Sequence, residues 1–172
     1  MVTPDAERTM NTYLGITSDL HEKHIHEDAL ASSEYVYIEG YLVTSDTSRA
    51  AAIRVRELAR KHGVKIAMTF SDPAMVQFFK DGLLEMLGEG VDLLFCNEQE
   101  AMLLAGSDNL DDALVTLKQH AKAFAVTLGA KGALAFDGRT LHEIAPHAVK
   151  AVDSNGAGDM FAGAFLYAIT HG

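Results

Sequence analysis

Near the end of the chain stand Val152-Asp153-Ser154-Asn155-Gly156-Ala157-Gly158-Asp159. Gly156 and Gly158 let the backbone turn tightly and gather successive N–H groups on one side. The residues from Ala157 to about Thr170 read as a helix, so its unpaired N–H groups and its dipole face the same point. Such a cradle suits the charge that develops on a transferring phosphoryl group. Asp159 falls in the first turn, placed to take a proton from a hydroxyl held at the cradle. The same residues also read as a glycine-rich helix start with an acid favoured by the dipole alone. Two familiar phosphate loops fail on spacing. No glycine stands three residues after Gly158 and no βαβ unit follows, so this is not the dinucleotide fingerprint. A GK[ST] sequence is absent too.

Two further segments carry chemistry. Asn97-Glu98-Gln99-Glu100 follows an apolar run. Asn97 can face a phosphate, and Glu100, one turn on, can hold a hydrated magnesium ion. The pattern is equally a capping box, in which Asn at the N-cap and Glu three residues later satisfy each other's amides. Thr127-Leu128-Gly129-Ala130-Lys131-Gly132 has glycines that permit close backbone approach, with Thr127 and Lys131 able to touch phosphates. By itself it also reads as an ordinary hairpin turn.

The elements that must position these segments alternate between short β-type runs and helical patterns. Strands are expected at 35–38, 64–70, 91–95, 123–128 and 133–136, with one more at 140–144. Helices are expected at 46–62, from Pro73, at 97–105, at 110–120 and at 157–170. Nearly continuous apolar strands between helices predict a parallel sheet with helices on both faces. The 129–132 turn predicts a hairpin attached to that sheet. Ligands of such sheets sit beyond the carboxyl ends of the strands. That rule picks out 40–44, 71–72, 96–100 and 128–132, and the loop 153–159 adds a fifth place. Residues 7–13 alternate polar with apolar or β-branched types, as a half-exposed strand of a flatter sheet would.

Composition narrows the partners. The chain has 172 residues, 48% of them apolar, with 14 Lys plus Arg against 24 Asp plus Glu and a net charge of −10. Length and composition predict one globular domain. The acidic balance argues against binding nucleic acid or an anionic membrane. The single Cys96 forms no intrachain disulfide and fits a reducing compartment, and no apolar run reaches the length of a membrane span, so a soluble cytoplasmic protein is expected. Cys96 reads as a small buried residue. The stretch His21-Glu22-Lys23-His24-Ile25-His26 reads as a charged connector, because its spacing matches no standard zinc pattern.

Together and in this order, the three segments resemble the ribokinase-like (PfkB) family of sugar and nucleoside kinases. Residues 153–159 are similar to its DTxGAGD signature, with Asn155 as in the adenosine kinases. Residues 97–100 are similar to its NxxE motif, and residues 127–132 to its TxGxxG turn. Asp5-Ala6-Glu7-Arg8-Thr9 resembles part of its substrate-covering lid, with Ala6 where Gly is common. The resemblance implies a three-layer αβα fold with a mostly parallel sheet, incomplete here, and a remnant of a β lid over residues 1–20. It implies a nucleotide-binding core over 21–172, truncated at both ends. Asp159 would be the catalytic base, with the N–H groups of Gly156, Ala157 and Gly158 forming an anion hole. Asn97, Thr127, Gly129, Lys131 and Gly132 would line the ATP site. Glu100 would lie near Mg²⁺, and Asp153 and Asn155 would contribute to the monovalent-cation (K⁺) site of many relatives. The acceptor implied is the primary alcohol of a sugar or nucleoside, adenosine in particular.

Family members are nearly twice this long, and the Gly-Gly-x-x-x-Asn segment that grips their acceptor is not in this sequence. The chain is therefore read as an internal fragment, prone to dimerise through exposed sheet edges and apolar faces. Two other functions stay open at this level: a non-catalytic nucleotide-binding or regulatory module, and a Rossmann-like dinucleotide-binding protein.

Overall fold

The computed structural model describes residues 3, 13 and 15–172. Of the lid remnant expected over residues 1–20, most lies outside the described residues, and Gly15–Asp19 form a 3-10 turn. The chain divides into two compact units, one spanning Leu14–Ala145 and a second that includes Pro146–Gly172. Among the described residues no helix is long and apolar enough to cross a membrane.

The larger unit opens with two short 3-10 turns and α1 (Glu27–Ala31), then builds a six-stranded sheet. Its order is sequential: β1 (Tyr35–Glu39), β2 (Lys65–Thr69), β3 (Val91–Asn97), β4 (Ala121–Thr127), β5 (Ala133–Phe136) and β6 (Leu141–Ile144). The first four strands are parallel, and β4–β5–β6 form an antiparallel meander, as the 129–132 turn predicts. The crossovers are α2 (Asp46–His62), α3 (Pro73–Leu87), and the pair α4 (Glu98–Ala105) and α5 (Leu110–His120). In the second unit, α6 runs over Ala157–His171.

Local chemistry explains the helix boundaries. The Ser45 hydroxyl accepts the Ser48 amide at 3.2 Å to start α2, and Gly63 ends it in the left-handed region at φ 69°. Asp72 accepts the Ala74 amide at 2.8 Å to start α3, with Pro73 at the first helical position. That helix is kinked at Phe79 (φ −129°, ψ 27°). Past the kink, Gly82 lets it press against Val43, because a Cβ there would stand 2.6 Å from a Val43 methyl.

Register sorts the strand residues onto two faces. On one face Ile38, Met68, Leu94 and Phe124 form a row, with Cys96, Val126 and Leu134 beside it. These join one core cluster with Leu58 and Ala59 of α2, Leu83 and Leu87 of α3, Leu104 of α4, and Leu114 and Leu117 of α5. Four crossover helices share that face because neighbouring parallel strands joined with one hand of crossover always place the connection on the same side. The other face bears Ala67, Leu93, Phe95 and Ala125, all buried as well. Its residues alternate with those of the core face, so both faces of the central strands are apolar, as in buried parallel sheets. Strand β4 begins at Ala121, two residues before the expected start at 123, because Ala121 pairs with Val91 of β3. Cys96 is buried, and burial pushes its thiol well above the ordinary range.

Candidate functional site

The carboxyl ends of β3 and β4 bring two of the three candidate segments together. Asn97 closes β3 and Thr127 closes β4, and the two are register partners. The chain then leaves β3 directly into α4 and leaves β4 through a 3-10 turn, Gly129–Lys131. Gly129 (φ 58°) and Gly132 (φ 103°) adopt conformations that disfavour side chains, so the turn depends on both glycines. The Gly132 carbonyl accepts the Leu128 amide at 2.8 Å and closes the turn.

Asn97 and Glu100 form a complete capping box. The Asn97 side-chain oxygen accepts the Glu100 amide at 2.8 Å, and Glu100 Oε2 accepts the Asn97 amide at 2.9 Å. The Asn97 side-chain amide also donates to Glu100 Oε1 at 2.9 Å. Glu100 is only 4% exposed. Burial pushes its carboxyl from 4.5 up to about 7, opposed by the Asn97 backbone amide and reinforced by the nearby negative charge of Asp72. Each Glu100 oxygen accepts one hydrogen bond from Asn97 and keeps a second lone pair, so the carboxylate retains acceptor capacity for an ion or a bound water.

Among the described residues no three His, Cys, Asp or Glu side chains are grouped to hold an ion. The histidines at 21, 24 and 26 accordingly form no metal cluster; the His24 ring instead accepts the His21 amide at 3.1 Å. This does not conflict with Mg²⁺ at Glu100, since that ion keeps several waters and leans on one or two carboxylates plus substrate phosphates.

Lys131 reaches back from the turn to Glu98, the first residue of α4, at 3.2 Å. The sequence reading placed Lys131 at this edge but did not find Glu98. Its only signal is position, an acid in the first turn of a helix, which the dipole explains unaided.

A second feature was only partly foreseen. At the ends of β1 and β2, Ser71 holds φ 69°, the only positive φ outside glycine among the described residues. Its hydroxyl donates to Glu39 Oε2 at 2.8 Å and accepts the Gly40 amide at 2.8 Å. Gly40 runs so close that a Cβ would strike the Phe70 carbonyl. The two strand ends are thereby laced together at the carboxyl edge. Residues 40–44 and 71–72 follow strands in the sequence pattern, but nothing in their types announces the lacing.

The segment 153–159 belongs to the second unit. Asp153 Oδ1 accepts the Asn155 amide at 2.8 Å, an Asx turn that bends the chain toward α6. Gly156 takes the N-cap at φ 71°, and Asp159 lies in the first turn, as expected. The Ala157 amide donates to the Ser154 carbonyl at 3.2 Å, so one of the three amides expected in an anion hole is turned to the chain itself. Gly158 has open space where a Cβ would stand.

A family model for the pfkB family carbohydrate kinases matches residues 1–172. The chain belongs to this family. The adenosine kinase of Dictyostelium discoideum is 27% identical, over 96% of the chain and 53% of the relative. The ribokinase of Haemophilus influenzae is 26% identical, over 98% of the chain and 54% of the relative. Among solved structures, the adenosine kinase from Sinorhizobium meliloti is 36% identical, with a TM-score of 0.94, over 99% of the chain and 53% of that protein. The chain thus spans about half the length of these relatives, and it has their ribokinase-like three-layer α/β fold with a mostly parallel six-stranded sheet.

Proposed function

We propose that the carboxyl edge of β3 and β4 binds ATP. We propose further that the whole protein transfers the γ-phosphoryl group to the primary alcohol of a sugar or nucleoside, adenosine being favoured by Asn155. The register pairing of Asn97 with Thr127, beside the Gly129–Gly132 turn, carries this reading. Strand pairing brings two segments 30 residues apart to one sheet edge, where α/β proteins bind their ligands.

In this reading the glycine turn allows nucleotide phosphates close to the backbone, and Thr127 and Lys131 hold them. Asn97 orients the phosphate side while Glu100 holds the α4 N-terminus in register. Glu100 would help to hold Mg²⁺, which would supply charge neutralisation at the phosphates. Asp153 and Asn155 would serve a monovalent cation such as K⁺. Asp159 takes the proton of the incoming hydroxyl, and the N–H groups of Gly156 and Gly158 serve the migrating group, the Ala157 amide being held by the Ser154 carbonyl. A loose phosphoryl transition state asks little of a weak carboxylate base.

The test is Asp159→Asn in the whole protein, with ATP binding followed by calorimetry and turnover followed with adenosine, ribose and fructose. We expect turnover to vanish while ATP affinity stays within about threefold, the scale of a rim contact. Retained turnover would remove Asp159 from its role. The half-length match supports one other reading, a nucleotide-binding module without transfer. Magnesium-dependent ATP binding by the unsubstituted chain, with no transfer to any of the three acceptors, would assign that one.

A further inference from the structure

The pair Glu98–Lys131 joins the two connections of the candidate nucleotide edge. Lys131 Nζ stands 3.2 Å from Glu98 Oε2 and 3.4 Å from Oε1, so its charge is shared between both oxygens. The lysine rides on a turn whose geometry two left-handed glycines impose, and the glutamate opens the helix that Asn97 caps. Neither end is free to drift far, yet both side chains reach water, 72% exposed for Lys131 and 32% for Glu98. A pair of this kind is positioned by the backbone but weak in energy.

We infer that this pair is a latch on the nucleotide site: Lys131 exchanges the Glu98 carboxylate for a phosphate of an incoming nucleoside triphosphate, which makes Glu98 an affinity-determining residue. The inference rests on the nucleotide reading above. A triphosphate bears several negative charges against one on the carboxylate, so it outbids Glu98 for the ammonium. The exchange leaves Glu98 facing a polyanion, and that repulsion lowers affinity. A nucleotide whose charge Mg²⁺ has partly neutralised suffers less of it. A monophosphate such as AMP draws the lysine away less strongly than ATP does.

A double-mutant cycle decides the matter. Magnesium–ATP and AMP are titrated calorimetrically into the unsubstituted chain, Glu98→Gln, Lys131→Met and the double variant, with circular dichroism confirming that each folds. Glu98→Gln should bind ATP about two to five times more tightly, the range an exposed pair commands. Lys131→Met should bind it more weakly. In the Lys131→Met background, Glu98→Gln should tighten binding by a distinctly smaller factor. Equal factors in both backgrounds, or weaker binding by Glu98→Gln, overturn the latch and leave the nucleotide reading intact. An unsubstituted chain that binds no ATP overturns both.

Discussion

Replacing Glu100 by Gln should make the protein more stable at pH 8 and have a much smaller effect at pH 5. The carboxyl of Glu100 is held at about 7 in the folded chain, against 4.5 for the free side chain, chiefly by burial. A folded value above the unfolded one means that the folded state binds the extra proton between these two values. Stability from this group is therefore greatest below about pH 4.5, falls as pH rises toward 7, and is flat above that. The difference between 4.5 and about 7 corresponds to about 3 kcal/mol once the group is fully ionised. Glutamine imitates the protonated acid, because its carbonyl still accepts the Asn97 amide and it brings no charge into the core. Its amide NH2, a donor, does face a donor of Asn97 in place of one carboxylate oxygen, which should cost part of the gain. Urea midpoints of the two proteins at pH 5 and pH 8 measure the effect, and other titrating groups cancel in the comparison. The expected advantage of Glu100→Gln at pH 8 is about 1–3 kcal/mol. A difference that does not change with pH, or a glutamine variant that is the less stable at pH 8, would refute the argument that burial governs this carboxyl.

Two other predictions concern the frame around the site. Gly40→Ala places a methyl against the Phe70 carbonyl, a backbone atom that cannot swing aside. It should cost about 1–3 kcal/mol by urea denaturation, and a neutral result would show that β1 and β2 can separate there. Glu27 is held at about 2 by hydrogen bonds from Lys61 and His62. Its stabilising share is present above about pH 4.5 and is lost as pH falls toward 2. Glu27→Gln should thus narrow the stability gap between pH 6 and pH 3, and an unchanged gap in urea midpoints would count against the Glu27–Lys61–His62 cluster.

Much of the fold was legible because its signals are local. Ser45 and Gly63 bracket α2, Pro73 opens α3 behind Asp72, and glycines 129 and 132 mark the hairpin turn. Each acts through its own backbone within a turn or two, so residue type suffices. The strand starts were less legible. Ala121 and Lys122 have weak β character and join β4 only because Val91 lies beside them. The choice between a capping box and a ligand set at residues 97–100 could not be made from spacing, since both need Asn and Glu three residues apart. The folded chain forms the box, and the depth at which Glu100 lies gives it an altered titration that no neighbour in sequence implies.

The order of amino acids was enough to determine where this chain turns, which stretches are strands and helices, and which glycines and acids stand at their junctions. Tertiary structure alone decided that Thr127 lies beside Asn97, that Lys131 meets Glu98 across 33 residues, and that Ser71 ties the end of β2 to Glu39 and Gly40 at the end of β1. The physical reason is that turn and cap energies are set by a few consecutive residues. Burial and partner choice sum over contacts between distant segments, and these exist only once the sheet has assembled.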